Sequence, residues 1–246
     1  MDIYLFTDFG LAGAYVGEMH GVLARQAPGH TVIDLMHDAP ARDPKRATYM
    51  LAALAAAIPP PALFVAVVDP GVGGDRPAAI ARAGGHVFVG PGNGLFEMLL
   101  RRQCDPAVKH IMWMPDRLSA SFHGRDLFAP VAAQLAMGAE VDTVPVTDPV
   151  WRRPDWPDDL REIVYIDGFG NAVSGSRAAT WPPDSKLEVA GRSLTQARTF
   201  TDVDPGQPFF YGNAHGLIEV AVNSGRADQD LGLAIGTPLR AVADLH

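Results

Sequence analysis

An aspartate closes the apolar run in VVDPGVGGDRP (67–77), and an arginine follows seven residues later. Glycine-rich turns after strands often cradle phosphate, but this one lacks the features. No Gly-Lys-Ser/Thr occurs in the chain, and the turn leads into the strand-like AAIARA instead of a helix. An acid at the strand end also repels phosphate. The loop therefore presents Asp69 and Arg76 themselves. Comparable positions carry Asp8 in TDFG (7–10), His37-Asp38 after TVIDLM (31–36), and His123 in SFHGRD (121–126). Carboxylate, guanidinium and imidazole at strand ends can orient a water, balance charge and move a proton. Each also has a plainer reading: Asp8 or His123 as a helix cap, Arg76 as partner of Asp75, Arg125–Asp126 as a local ion pair. Asp8, Asp34, His37, Asp38 and Asp69 are the donor types of a metallophosphoesterase. Without HExxH or H-x-H spacing, no metal site is expected. Ser174 in VSGS lacks the G-x-S-x-G elbow of a serine hydrolase.

Alternating β and α signals must position these groups. IYLF (3–6), TVIDLM (31–36), LFVAVV (63–68) and HVFVG (86–90) read as strands. The unbroken LFVAVV fits a strand covered on both faces of a parallel sheet. Helices are expected over 13–26, from the Asp43-Pro44 cap to about Ala57, and after Gly124, with Pro130 near the start of that last one. PVTDPVWRRPDWPDD then changes the texture: four prolines and two tryptophans read as a packed linker. Short runs follow (EIVYI, KLEV, LIEVAV, PLRAV) between Gly, Pro, Asp and Asn. The expected fold is α/β: an N-terminal layered domain with a central mostly parallel sheet (1–145), a linker (146–160) and a smaller β-rich, barrel-like C-terminal domain (161–246).

Composition narrows the function classes. The 246 residues carry a formal charge of −8, against a nucleic-acid surface. No run reaches the roughly 18 apolar residues of a membrane helix. Met1-Asp2 leads straight into strand residues, and the single cysteine, Cys104, allows no internal disulfide. A soluble cytoplasmic protein is expected.

TDFGLAGAYVGEM, IDLMHD, VVDPGVGGDR, VGPGNG, SFHGRDLFAPVAAQLAMG and YIDGFGN occur in this order. Together they resemble the S-adenosyl-L-methionine (SAM) hydroxide adenosyltransferases, adenosine-forming SAM hydrolases related to the fluorinating and chlorinating SAM enzymes. The resemblance implies that water displaces methionine from the ribose 5′ carbon without metal or cofactor, handled by Asp69, Arg76 and His123. It further implies Asp8 on the ribose hydroxyls, Asp167 near the methionine ammonium, Phe169 and Asn171 around the adenine, and Tyr211 lining the pocket. A homotrimer, with sites between one subunit's N-domain and a neighbour's C-domain, is implied too. From the residues alone, D-G-F-G-N reads as an ordinary turn. Gly92 stands where relatives usually carry aspartate, and Ala214-His215 where halogenases carry serine and arginine, so His215 is a candidate for the methionine carboxylate. The alternatives are nucleophilic halogenation and a non-catalytic SAM or adenosine sensor. Which group accepts the water's proton stays open.

Overall fold

A computed structural model describes residues 1–182 and 185–242. The chain divides into two compact units, Met1–Pro154 and Asp155–His246. Residues 146–154 thus fold with the first unit: Trp151 is buried, its ring 6.4 Å from that of Phe96.

In the first unit the strands are β1 (Ile3–Thr7), β2 (Val32–Met36), β3 (Leu63–Val67), β4 (Ala78–Ala83), β5 (His86–Pro91), β6 (Ala107–Ile111) and β7 (Thr143–Pro145). They form one sheet in the order β2-β1-β3-β5-β4-β6-β7. The β2-β1-β3-β5 half is parallel, and β4, β6 and β7 complete it antiparallel. Every residue of β3 is buried, as its continuous apolar run requires of a central strand. The register aligns Tyr4, Phe64 and Phe88 across three strands, and their rings stack at 5.3 and 4.7 Å.

The helices are α1 (Tyr15–Gln26), α2 (Pro44–Ala56), α3 (Glu97–Arg102) and α4 (Ala129–Ala136). Asp43 caps α2 by accepting the Arg46 amide at 3.0 Å, with Pro44 in the first turn, where its missing N–H costs nothing. A five-residue π turn, Gly124–Phe128, precedes α4. Met19 and Leu23 of α1 and Leu127, Phe128 and Val131 pack with the inward residues of β1 and β3 in one apolar core.

The second unit holds two antiparallel sheets. β8 (Leu160–Ile166), β9 (Ala172–Arg177), β12 (Pro208–Gly212) and β13 (Leu217–Val222) form one; β10 (Lys186–Val189), β11 (Arg192–Leu194) and β14 (Leu239–Val242) form the other. A short helix, α5 (Ala227–Asp230), follows β13. Ile163, Leu187, Phe210, Ile218 and Leu239 share the apolar core of this unit. Among the described residues no helix is long and apolar enough to cross a membrane.

Candidate active site

Parallel strands point their carboxyl ends to one sheet edge, and loops beyond that edge line the ligand crevice of open α/β sheets. Thr7 of β1 pairs in register with Val67 of β3, so Asp8 and Asp69 emerge side by side. With His123 they line a cleft of about 410 Å³, within the roughly 300–1,000 Å³ of small-molecule sites. Phe9, Tyr15 and Phe122 form an aromatic wall, their rings 4.9 to 5.7 Å apart.

Asp69, Arg76 and His123 form one hydrogen-bonded chain. The Arg76 Nε donates to both Asp69 carboxylate oxygens at 2.9 Å, and Nη2 donates to Oδ2 at 2.5 Å. The same Nη2 lies 2.8 Å from Nδ1 of His123. Arginine has no acceptor, so Nδ1 must accept, and the neutral ring carries its hydrogen on Nε2. Burial, then the Arg76 charge, hold the His123 pKa below its ordinary value. The pair is largely enclosed, with Asp69 only 4% exposed, and Arg76 also lies 5.2 Å from the Phe128 ring centre.

The loop between Asp69 and Arg76 explains its glycines. Gly73 has φ of +78°, and a Cβ there would stand 2.3 Å from the Ala120 carbonyl oxygen. Only glycine meets both conditions. The loop thereby packs on the segment that delivers His123. Asn93 of the PGNG turn, which sequence reasoning did not single out, donates to the Val68 carbonyl at 2.9 Å and braces the residue before Asp69. Gly92 in the same turn is accounted for by Trp151: a Cβ would lie 2.7 Å from the indole, which donates to His110 Nε2 at 3.2 Å.

Asp8 accepts the Arg42 amide through Oδ2 at 2.8 Å. Burial pushes its carboxyl pKa up, and the nearby Asp69 charge pushes the same way. Arg125 and Asp126 form the expected local pair at 2.6 Å, and Arg125 also bonds Glu18 of α1. Asp34 and His37 bond to each other and not into the cleft. Among the described residues no group of three His, Cys, Asp or Glu is arranged to hold a metal ion. Ser174 is fully buried, donating to the Ile218 carbonyl at 2.9 Å.

In the second unit, the DGFGN segment is a tight turn between β8 and β9. Asp167 Oδ1 accepts the amides of Phe169 and Asn171, both at 2.9 Å, while Oδ2 accepts Asn171 Nδ2 at 3.1 Å. The plain turn reading holds, and the turn leaves Asn171 buried while Phe169 stands 79% exposed. Tyr211 of β12 is in register with Glu219 of β13, which pairs with Val173 at the start of β9. That brings Tyr211 toward the same turn. His215 lies in the β12–β13 turn, at the opposite end of β9, so the structure does not gather it with Asp167, Phe169 and Asn171. Glu219 was not legible as a site residue. Buried in LIEVAV, it accepts the Tyr211 hydroxyl at 2.5 Å and Asn213 Nδ2 at 2.8 Å. Burial first, then this bond, push the Tyr211 pKa up.

The chain has relatives in both sequence and fold. An (R)-S-adenosyl-L-methionine hydrolase of Thermus thermophilus is 40% identical, over 97% of this chain and 98% of its own. One from Salinispora arenicola is 41% identical over 96% of both. Among solved structures, an uncharacterized conserved protein from Thermotoga maritima superposes with a TM-score of 0.84 at 27% identity, covering 96% of this chain and 98% of that one. A conserved hypothetical protein from Thermus thermophilus gives 0.77 at 37% identity, over 98% and 99%. Residues 3–145 match the SAM hydroxide adenosyltransferase N-terminal domain and 161–240 its C-terminal domain. With both halves matched in order, the chain belongs to the SAM hydroxide adenosyltransferase family.

Proposed function

We propose that the protein hydrolyses SAM to adenosine and L-methionine by attack of one water at the ribose 5′ carbon. The observation that carries this reading is the Asp69–Arg76–His123 chain, in one cleft with Asp8. As the water oxygen bonds to the 5′ carbon, the carbon–sulfur bond breaks and its electron pair stays on sulfur. The leaving group is a neutral thioether, so no general acid is called for and no metal or cofactor is invoked. The protein's tasks are to hold the water in line and take its proton.

His123 has Nδ1 occupied by Arg76 and its hydrogen on Nε2, so it holds a water by donating. Asp69 is the acceptor this arrangement favours. Its Oδ1 accepts one bond from Arg76 where Oδ2 accepts two, leaving Oδ1 the freer lone pair. Arg76 offsets the aspartate charge and fixes both partners. Asp8 suits the vicinal ribose hydroxyls, and the aromatic wall of the cleft suits the sulfonium cation. Asp167, Phe169, Asn171 and Tyr211 take the methionine and adenine ends, with self-association as a homotrimer completing each site.

Purified protein incubated with SAM should release adenosine and methionine in equal amounts, unchanged by chelator and without chlorinated nucleoside in chloride buffer. SAM binding without either product would overturn the hydrolase and leave a sensor; a chlorinated product would make it a halogenase.

A further inference from the structure

A second chain of polar side chains lies behind the cleft, on the edge shared by β1 and β2. The Oγ1 of Thr7 is 2.8 Å from His37 Nδ1, and His37 Nε2 is 2.9 Å from Asp34 Oδ1. His20 Nε2 reaches the same oxygen at 2.6 Å. A carboxylate accepts only, so His37 donates through Nε2, and the tautomer with its one hydrogen there accepts the Thr7 hydroxyl at Nδ1. That leaves Thr7 Oγ1 free to accept the Phe9 amide, at 3.3 Å. The series Phe9 N–H, Thr7 O–H, His37 N–H and Asp34 thus runs in one direction.

Hydroxyl, imidazole and carboxylate in this order are the parts of a nucleophilic triad. Nucleophilic use is excluded here because Thr7 is 0% exposed and His37 4%. What the series controls is the backbone after β1. The main chain of the same segment also holds that turn: the His37 carbonyl accepts the Gly10 amide at 2.6 Å, and Ala39 N donates to the Thr7 carbonyl at 3.1 Å. Between those anchor points sits Asp8, whose carboxylate faces the cleft beside Asp69.

We propose that His37, oriented by Asp34, is a positioning residue for Asp8, setting the 7–10 turn through the Thr7 hydroxyl so that the carboxylate meets the ribose. The inference rests on reading the cleft as the SAM site. Loss of the side chain releases the turn and weakens ground-state and transition-state binding together, which raises KM more than it lowers kcat.

The test compares His37→Ala, His37→Asn and Thr7→Val with Asp8→Ala in SAM turnover, with thermal midpoints measured alongside. His37→Ala should raise KM about tenfold and change kcat less than about threefold. His37→Asn keeps an acceptor near the Nδ1 position and should restore most of the affinity. The His37→Ala/Asp8→Ala double variant should be no worse than Asp8→Ala alone, since one residue acts through the other. Thr7→Val, close in shape, reports on the same link should His37→Ala fail to fold. Multiplying effects in the double variant, or a wild-type KM in both His37→Ala and Thr7→Val, would overturn the proposal. So would a lowered thermal midpoint with KM unmoved. A crystal structure of a folded variant reads the displacement of Asp8 from the Arg42 amide without turnover. Failure of the hydrolase reading would instead show as wild-type protein that makes no adenosine.

Discussion

At the scale of single residues, the protonation state of His123 is the feature with the clearest consequence. Its pKa is held below about 6.5 by burial and by Arg76, so the folded ring stays neutral as the solution acidifies past that value. Protonating Nδ1 would set a donor against the Arg76 N–H and break the 2.8 Å link. kcat/KM should therefore be flat near neutrality and fall only on an acid limb whose midpoint lies below about 6.5. The stability sign agrees: the unfolded chain takes up this proton first, so acid costs stability between the two pKa values, and none of that cost is felt above them. His123→Ala should lower kcat by about 10²-fold with the fold retained, since the water loses the donor that holds it in line. His123→Asn should keep part of the rate and lose the part of the acid limb that belongs to the imidazole. A pH–rate profile of the three proteins checks this; a wild-type limb centred above 6.5, or wild-type rates in His123→Ala, would remove the histidine from its role.

At the scale of elements, α3 is tied to the chain after β7 by one carboxylate. Glu97 is fully buried and accepts Arg101 Nε and Arg152 Nε, each at 2.7 Å, and the Arg153 amide at 2.9 Å. Burial alone would push its pKa up, but the bonds from Arg152, the Arg153 amide and Arg101 outweigh it and hold the carboxyl below its ordinary value. A depressed carboxylate adds stability above the unfolded pKa, near 4.3, and loses it as pH falls through the folded one. Glu97→Ala takes the buried acceptor from the partly exposed Arg101 and Arg152 and from the Arg153 amide, and should cost about 1–3 kcal/mol at pH 7. Urea unfolding should show the gap to wild type narrowing as pH falls below about 4; equal stability at pH 7 would refute the argument. None of this cluster was legible in EMLLRR or VWRRP, because an apolar period says where a helix lies, not which arginine returns to it from fifty residues on. The strand ends were legible, since LFVAV and IYLF carry their burial in composition and Asp8 and Asp69 stand where those runs stop. β9 was not: AVSGSR carries no apolar alternation, and its buried Ser174 is satisfied by a carbonyl only the fold supplies. His215, in the β12–β13 turn, lies at the end of β9 away from DGFGN, a separation that sequence order alone does not give.

At the scale of the whole molecule, the proposed site residues are divided between the two units. Asp8, Asp69, Arg76 and His123 belong to the first; Asp167, Phe169, Asn171 and Tyr211 belong to the second, where the Phe169 ring is left exposed by its own unit. On that reading, chemistry at the 5′ carbon and recognition of the methionine and adenine ends should be separable by mutation. In the trimer proposed above, each site joins the first unit of one chain to the second unit of its neighbour. Two defective chains can then repair each other. A chain carrying Asp69→Asn supplies a sound second unit, and a chain carrying Asn171→Ala supplies a sound first unit. Random mixed trimers at equal amounts place the two sound halves together at about a quarter of the sites. Co-expressed variants should recover about a quarter of wild-type activity per site, while each alone stays near zero and simple mixing of preformed trimers recovers less. Light scattering should give about three times the 26.2 kDa chain mass. A site built within one chain cannot be complemented, because every site then carries one of the two lesions. Monomer mass together with no recovered activity would therefore overturn the shared site and confine SAM to the two units of a single chain.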